Sequence, residues 1–221
     1  MIRKYILPVL ILIAFSSCRE KPFFIVDGKV SYKAFEGSSI YLVALDAPLT
    51  KNVDSTVVVD GTFTFRVKAD STIAKILRLP IRYPNMAEDL VVITEPGTMH
   101  AVIGTKSYGG GTRLNDILQR WKAAKNSYDS LQTTIFAGRD LQSMNKKDVD
   151  SLISAANKMK DEFLPGVVTL MNKNLNNGIG LLLFKVYYQQ LSPETREAVE
   201  KATKEAYYRK DKQLRNMTQP N

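Results

Sequence analysis

The chain has 221 residues, 44% of them hydrophobic, and carries a formal charge of +9 from 31 Lys and Arg against 22 Asp and Glu. That hydrophobic share suits a folded protein and not a disordered tail. A single cysteine and a single histidine exclude an internal disulfide, a CxxC redox pair and a zinc site built from His and Cys within this chain.

The first seventeen residues differ from everything after them. Arg3 and Lys4 give a positive start, residues 5–15 are an almost unbroken apolar run, and Ser16-Ser17 precede Cys18. This is the layout of a secretory signal. The apolar run is too short for the roughly 20 residues that span a bilayer core. Phe15-Ser16-Ser17-Cys18 resembles the lipobox of bacterial lipoproteins, with Phe15 where leucine is commonest. The resemblance implies cleavage after residue 17 and acylation of Cys18, the one lipidation site expected. Each buried methylene of an acyl chain contributes about 0.8 kcal/mol, so several chains on one cysteine anchor effectively permanently. The expected location is the cell envelope, lipid-anchored to a bacterial membrane. Arg19-Glu20-Lys21 after the cysteine is mixed in charge, which favours a periplasm-facing anchor.

Residues 18–108 read as a β-sandwich. Phe23-Phe24-Ile25-Val26 is a strand leading to a turn signal at Asp27-Gly28, and residues 40–45 form a second strand. Val57-Val58-Val59, Asp60-Gly61 and residues 62–67 predict a hairpin, because Asp-Gly suits positive φ and Phe63, Phe65 and Val67 alternate. Residues 73–81 are a further strand, stopped by Tyr83-Pro84-Asn85. Residues 90–93 and 99–103 make a second expected hairpin around Glu95-Pro96-Gly97. Short strands with regular turns predict an antiparallel sandwich.

Gly109-Gly110-Gly111 reads as an interdomain hinge, and residues 109–221 as a helical segment of about five helices. Leu114, Ile117, Leu118, Trp121, Ala124, Tyr128 and Leu131 form a helical stripe, and Val149, Leu152, Ile153, Ala156, Met159 and Phe163 a second. A third helix is expected over 167–175 and an apolar fourth over 180–191. Ser192-Pro193-Glu194 opens a fifth, with Ser as cap and Pro in the first turn. The fold class expected is α+β, an N-terminal antiparallel β-sandwich followed by a C-terminal helical segment.

Few residues invite chemistry. His100 stands in a strand without a second His or a free Cys, so packing is favoured over a hydrolase or metal role. Tyr108-Gly109-Gly110-Gly111-Thr112 lacks the Gly-Lys-Ser/Thr ending of a phosphate loop. Glu88-Asp89 and Asp148/Asp150 lack calcium-loop spacing. Trp121 reads as core. Tyr187-Tyr188 and Tyr207-Tyr208 each set neighbouring rings about 100° apart on a helix, so that one ring of a pair could meet a partner. Residues 112–221 hold 18 Lys and Arg against 12 acids, scattered as on a solvated face, with attraction to an anionic membrane surface the alternative. With the secretion signal, this argues against nucleic acid as partner. No catalytic residue, cofactor site or metal site is expected.

Several stretches together resemble the N-terminal accessory region of TlpA/ResA-like envelope thiol-disulfide oxidoreductases. They are Asp54-Ser55-Thr56 with residues 59–65, Thr94-Glu95-Pro96-Gly97, Gly111-Thr112-Arg113-Leu114-Asn115-Asp116, Gly178-Ile179-Gly180 and Leu191-Ser192-Pro193-Glu194. In that family a domain of unknown function follows a lipoprotein signal, then a helical segment, then a thioredoxin-like domain. The chain reaches Asn221 without that domain or its CxxC, so no catalytic position carries over. The resemblance implies a non-enzymatic accessory module whose partners are the membrane, through acylated Cys18, and an envelope protein. The alternative is a remnant of an oxidoreductase that has lost its thioredoxin-like domain.

Overall fold

A computed structural model describes residues 22–45 and 53–203. The signal segment, Cys18 and the Tyr207-Tyr208 pair lie outside these described residues. Among the described residues eight strands are followed by four α-helices: β1 Phe23–Val30, β2 Ser39–Ala44, β3 Asp54–Val57, β4 Thr62–Lys68, β5 Ala74–Arg78, β6 Leu90–Ile93, β7 Gly97–Ile103, β8 Tyr108–Gly110, then α1 Arg113–Phe136, α2 Lys146–Asn172, α3 Gly178–Tyr187 and α4 Pro193–Ala202. The strands form two four-stranded sheets, in the orders β4-β1-β7-β8 and β3-β2-β5-β6. All pairings are antiparallel except β1 with β7. The expected α+β sandwich followed by helices is the observed fold.

The two sheets differ in what covers them, and their sequences show why. In the first sheet Phe24, Val26 and Val30 of β1, Phe63 and Phe65 of β4, and Met99, Ala101 and Ile103 of β7 are buried in the sandwich core, while the residues between them are more exposed. That alternation is what one wet face requires. In the second sheet Ile40 and Leu42 of β2, Leu77 of β5, and Leu90 and Val92 of β6 face the same core. Its other face is also covered: Ile93, with Ala74 and Val91, packs among Leu114, Met171, Ile179, Leu183 and Phe184 of the helices. Its inner strands therefore bury apolar residues on both faces, while the edge strand β3, Asp54–Val57, is largely exposed.

Several sequence expectations change in register or role. Asp27-Gly28 is no turn, because β1 runs straight through it. A Cβ on Gly28 would lie 1.9 Å from the Phe63 ring, so the glycine makes room for a core aromatic. Both expected hairpins are corners between sheets. At the first, Asp60 and Gly61 take positive φ (50° and 67°), as the Asp-Gly signal requires, and Glu36 accepts from both of their N–H groups at 2.8 and 3.0 Å. One bridge, Val59 with Thr62, closes this turn. Beyond it β3 pairs with β2 in one sheet and β4 with β1 in the other. Likewise β6 and β7 leave the 94–97 turn into different sheets.

The expected hinge is strand instead: β8 pairs Tyr108, Gly109 and Gly110 with Val102, Ala101 and His100. The helical segment holds four α-helices among the described residues, not about five. The second and third expected helices are one, since α2 continues through Pro165. An interior proline removes one hydrogen bond, and Val167 and Met171 beyond it are buried against the second sheet's helical cover. Tertiary packing therefore holds the helix together across the break.

Candidate functional site

Several polar side chains that could do chemistry build the junction between α1 and the two sheets. Asn115 is 2% exposed. Its Oδ1 accepts from the Ile93 N–H at 2.8 Å, while its Nδ2 donates to the Ile93 carbonyl and to Thr112 Oγ1, each at 2.8 Å. The side-chain amide thus imitates a neighbouring strand at the edge of β6. On the other sheet, Gln119 Oε1 accepts from the Gly109 N–H (3.2 Å) and Asp116 Oδ1 from the Gly111 N–H (2.8 Å). One helix seals an edge of each sheet, which blocks strand addition there.

The N-terminus of α1 is capped from the sheet. Thr112, at the N-cap position, makes no side-chain cap bond. Buried Glu95 Oε1 accepts from Leu114 N–H at 2.6 Å and from Asn115 N–H at 3.3 Å. A carboxylate suits this place because the free N–H groups and the helix dipole are both positive there. Two motifs that sequence reasoning had singled out separately, at 94–97 and 111–116, therefore meet in one hydrogen-bonded joint. Their spacing in sequence gave no sign of it.

A second joint lies further along α1. Ser107 donates its N–H to Glu88 Oε2 (2.7 Å) and its Oγ to the Glu88 carbonyl (2.6 Å). Lys122 Nζ bridges Glu88 at 2.9 Å and the Ser107 carbonyl at 2.7 Å. Partial burial would push the Glu88 carboxyl up; the hydrogen bonds from Lys122 and the Ser107 N–H, with the charges of Lys122 and Lys106, outweigh it and hold the carboxyl below the ordinary glutamate value. Asp89 pairs with Arg78 at 2.7 Å. Glu88 and Asp89 are thus structural anchors, one to Lys122 and Ser107 and the other to Arg78.

The remaining sequence candidates disperse. His100 is exposed on the outer face of the first sheet, in register with Asp27 and Gly110. Asp148 opens α2, its N–H held by the Asn145 side chain. Trp121 packs edge-on to Tyr187 within the helical core. Tyr187 is buried, and Tyr188 is half-buried beside Phe184 with the Arg196 guanidinium 4.6 Å above its ring. Among the described residues no group of three or more His, Cys, Asp and Glu is placed to hold a metal ion. No helix among them is long and apolar enough to cross a membrane.

The loop after β5 exposes Ile81 (85%), Tyr83 (88%) and Met86 (56%). A hollow of about 520 Å³ beside it is lined by Arg78, Leu79, Pro80, Ile81, Met86 and Asp89. Arg82 ties the loop down by donating to the Ala34 carbonyl, and the Glu88 N–H donates to the Gly104 carbonyl at 2.7 Å. Sequence reasoning saw only a strand stop in Tyr83-Pro84-Asn85. The clue available was three large apolar residues within six positions of a proline-containing loop.

Residues 24–118 match the model of DUF4369, a domain of unknown function. The DUF4369 stretch takes in β1 to β8 and the start of α1. The match ends inside α1, after Asn115 and Asp116 and before Gln119 and Lys122, which also bond to the sheets. Comparisons with curated proteins and with solved structures returned no match.

Proposed function

We propose that this chain is a non-catalytic, lipid-anchored module of the bacterial cell envelope, facing the periplasm, that binds a protein partner through the 81–86 loop. The observation that carries the reading is the exposure of Ile81, Tyr83 and Met86 together beside a hollow. A cluster of large apolar side chains left in water beside a hollow is the pattern of a contact surface. The signal-like start ending at Cys18 supports the anchor. The engagement of Glu88, Glu95, Asn115 and Asp116 in structural hydrogen bonds supports a binding role over catalysis. The resemblance to the accessory region of envelope thiol-disulfide oxidoreductases suggests a thioredoxin-like envelope protein as partner class.

A photoreactive phenylalanine analogue placed at Tyr83 in the full chain, expressed in its own host, tests this. The expected result is an adduct with one envelope protein carrying a CxxC thioredoxin-like domain, lost when Ile81→Asp and Met86→Asp are added without change in Tm. Absence of any adduct at Tyr83, or equal adducts from a probe at Thr64 on the outer sheet face, would overturn it.

A further inference from the structure

The path of the chain into β1 fixes which end of the sandwich meets the membrane. The Pro22 carbonyl accepts from the Ala69 N–H at 2.8 Å, one step beyond the Phe23–Lys68 pairing, and the Arg66 guanidinium lies 3.8 Å from the centroid of the Phe23 ring. The chain therefore leaves the sheet at a pinned point. From Pro22 back to Cys18 is four residue steps, at most about 14 Å when fully extended. β1 alone spans about 23 Å from Phe23 to Val30. The 81–86 loop belongs to the Val30 end, where Arg82 bonds Ala34 and Glu88 bonds Gly104. An anchor on Cys18 cannot reach that end.

The end it can reach is basic. Arg66 and Lys68 at the close of β4 and Arg113 at the start of α1 are all exposed, and Thr112 beside Arg113 packs against Gly97, the partner of Phe24. Lys75 nearby is paired with Asp54 at 3.1 Å, and Glu95 is buried as the α1 cap, so neither alters the outward charge much. Asp70, two residues beyond Lys68, is an exposed acid at this end. In the sequence, Arg19 and Lys21 flank Glu20 in the connecting segment. Clustered Lys and Arg next to an anchor are drawn to the negative surface of anionic lipids.

We infer that the Phe23 end of the sandwich, with Arg66, Lys68 and Arg113, rests on anionic lipid headgroups and holds the 81–86 loop at the membrane-distal end. This rests on the lipid-anchor reading of Cys18. Orientation then serves binding: the apolar loop is presented away from the lipid, where a periplasmic partner can reach it.

The test uses the full chain processed in its host and reconstituted in phosphatidylglycerol-rich vesicles bearing nitroxide headgroups. Cys18 is the only native cysteine; once it is acylated, Pro96→Cys or Tyr83→Cys supplies the sole thiol for a fluorophore. Quenching is expected to be several-fold stronger at position 96 than at 83. The triple variant Arg66→Glu, Lys68→Glu, Arg113→Glu is expected to weaken quenching at 96 while the protein stays vesicle-bound. Equal quenching at 96 and 83 with Cys18 acylated by intact mass overturns the orientation alone, and an unchanged triple variant overturns the headgroup contact. An unmodified Cys18 overturns the anchor reading, and the orientation falls with it.

Discussion

Replacing Asn115 with Ala should cost the protein far more than the size of the side chain suggests. The substitution removes three hydrogen bonds at a 2%-exposed position and leaves the Ile93 N–H and C=O, both at 2.8 Å from the lost amide, facing the new methyl group. An unsatisfied buried polar group costs about 1–3 kcal/mol. Two such groups on Ile93, with partial relief by entering water, give a destabilisation of about 3 kcal/mol. For a protein of this size that corresponds to a fall in Tm of about 6–12 °C. The measurement is urea unfolding followed by fluorescence of Trp121, the only tryptophan, which packs in the helical core joined to Ile93. Asn126→Ala, on the exposed side of the same helix, is the control and should shift stability by no more than about 0.5 kcal/mol. A loss for Asn115→Ala equal to that of the control would refute the view that this amide completes the β6 edge.

Two further outcomes follow from the geometry. Gly28→Ala forces a Cβ against the Phe63 ring and should destabilise by about 1–3 kcal/mol, with Phe63→Leu recovering part of the loss in the double variant; additive losses in a double-mutant cycle would show that the ring is not the obstacle. The Glu88 carboxyl is held below its ordinary value, so its contribution is present above the unfolded-state value and fades as pH falls through the lowered folded one. Lys122→Met should therefore lower the urea midpoint at pH 7 and narrow its gap from the native chain toward pH 3. Parallel midpoint-against-pH curves for the two proteins would remove Lys122 as the cause.

The sequence by itself determined the local elements and the order of the two regions. Alternation in residues 62–68 set a strand with one wet face, Asp60-Gly61 set a positive-φ turn, and Ser192 with Pro193 set the start of α4, where the Ser192 hydroxyl accepts from the Thr195 N–H at 3.2 Å. Each of these depends on side chains within a few residues of one another. Only the tertiary structure decided which sheet each strand joins. A turn fixes the direction of two arms close to it, whereas pairing is fixed by the covering of whole faces, so both expected hairpins opened into corners. The same holds for Gly28, whose smallness answers to Phe63, and for Gly109 and Gly110, where a Cβ would meet Met99 of the neighbouring strand and Asp116 of α1. It holds for α2, which crosses Pro165 because Val167 and Met171 have a core to enter. Glu95 and Asn115 show the limit most plainly. Twenty positions apart, they read as a turn residue and a helix residue, and only the docking of α1 on both sheet edges makes them one joint.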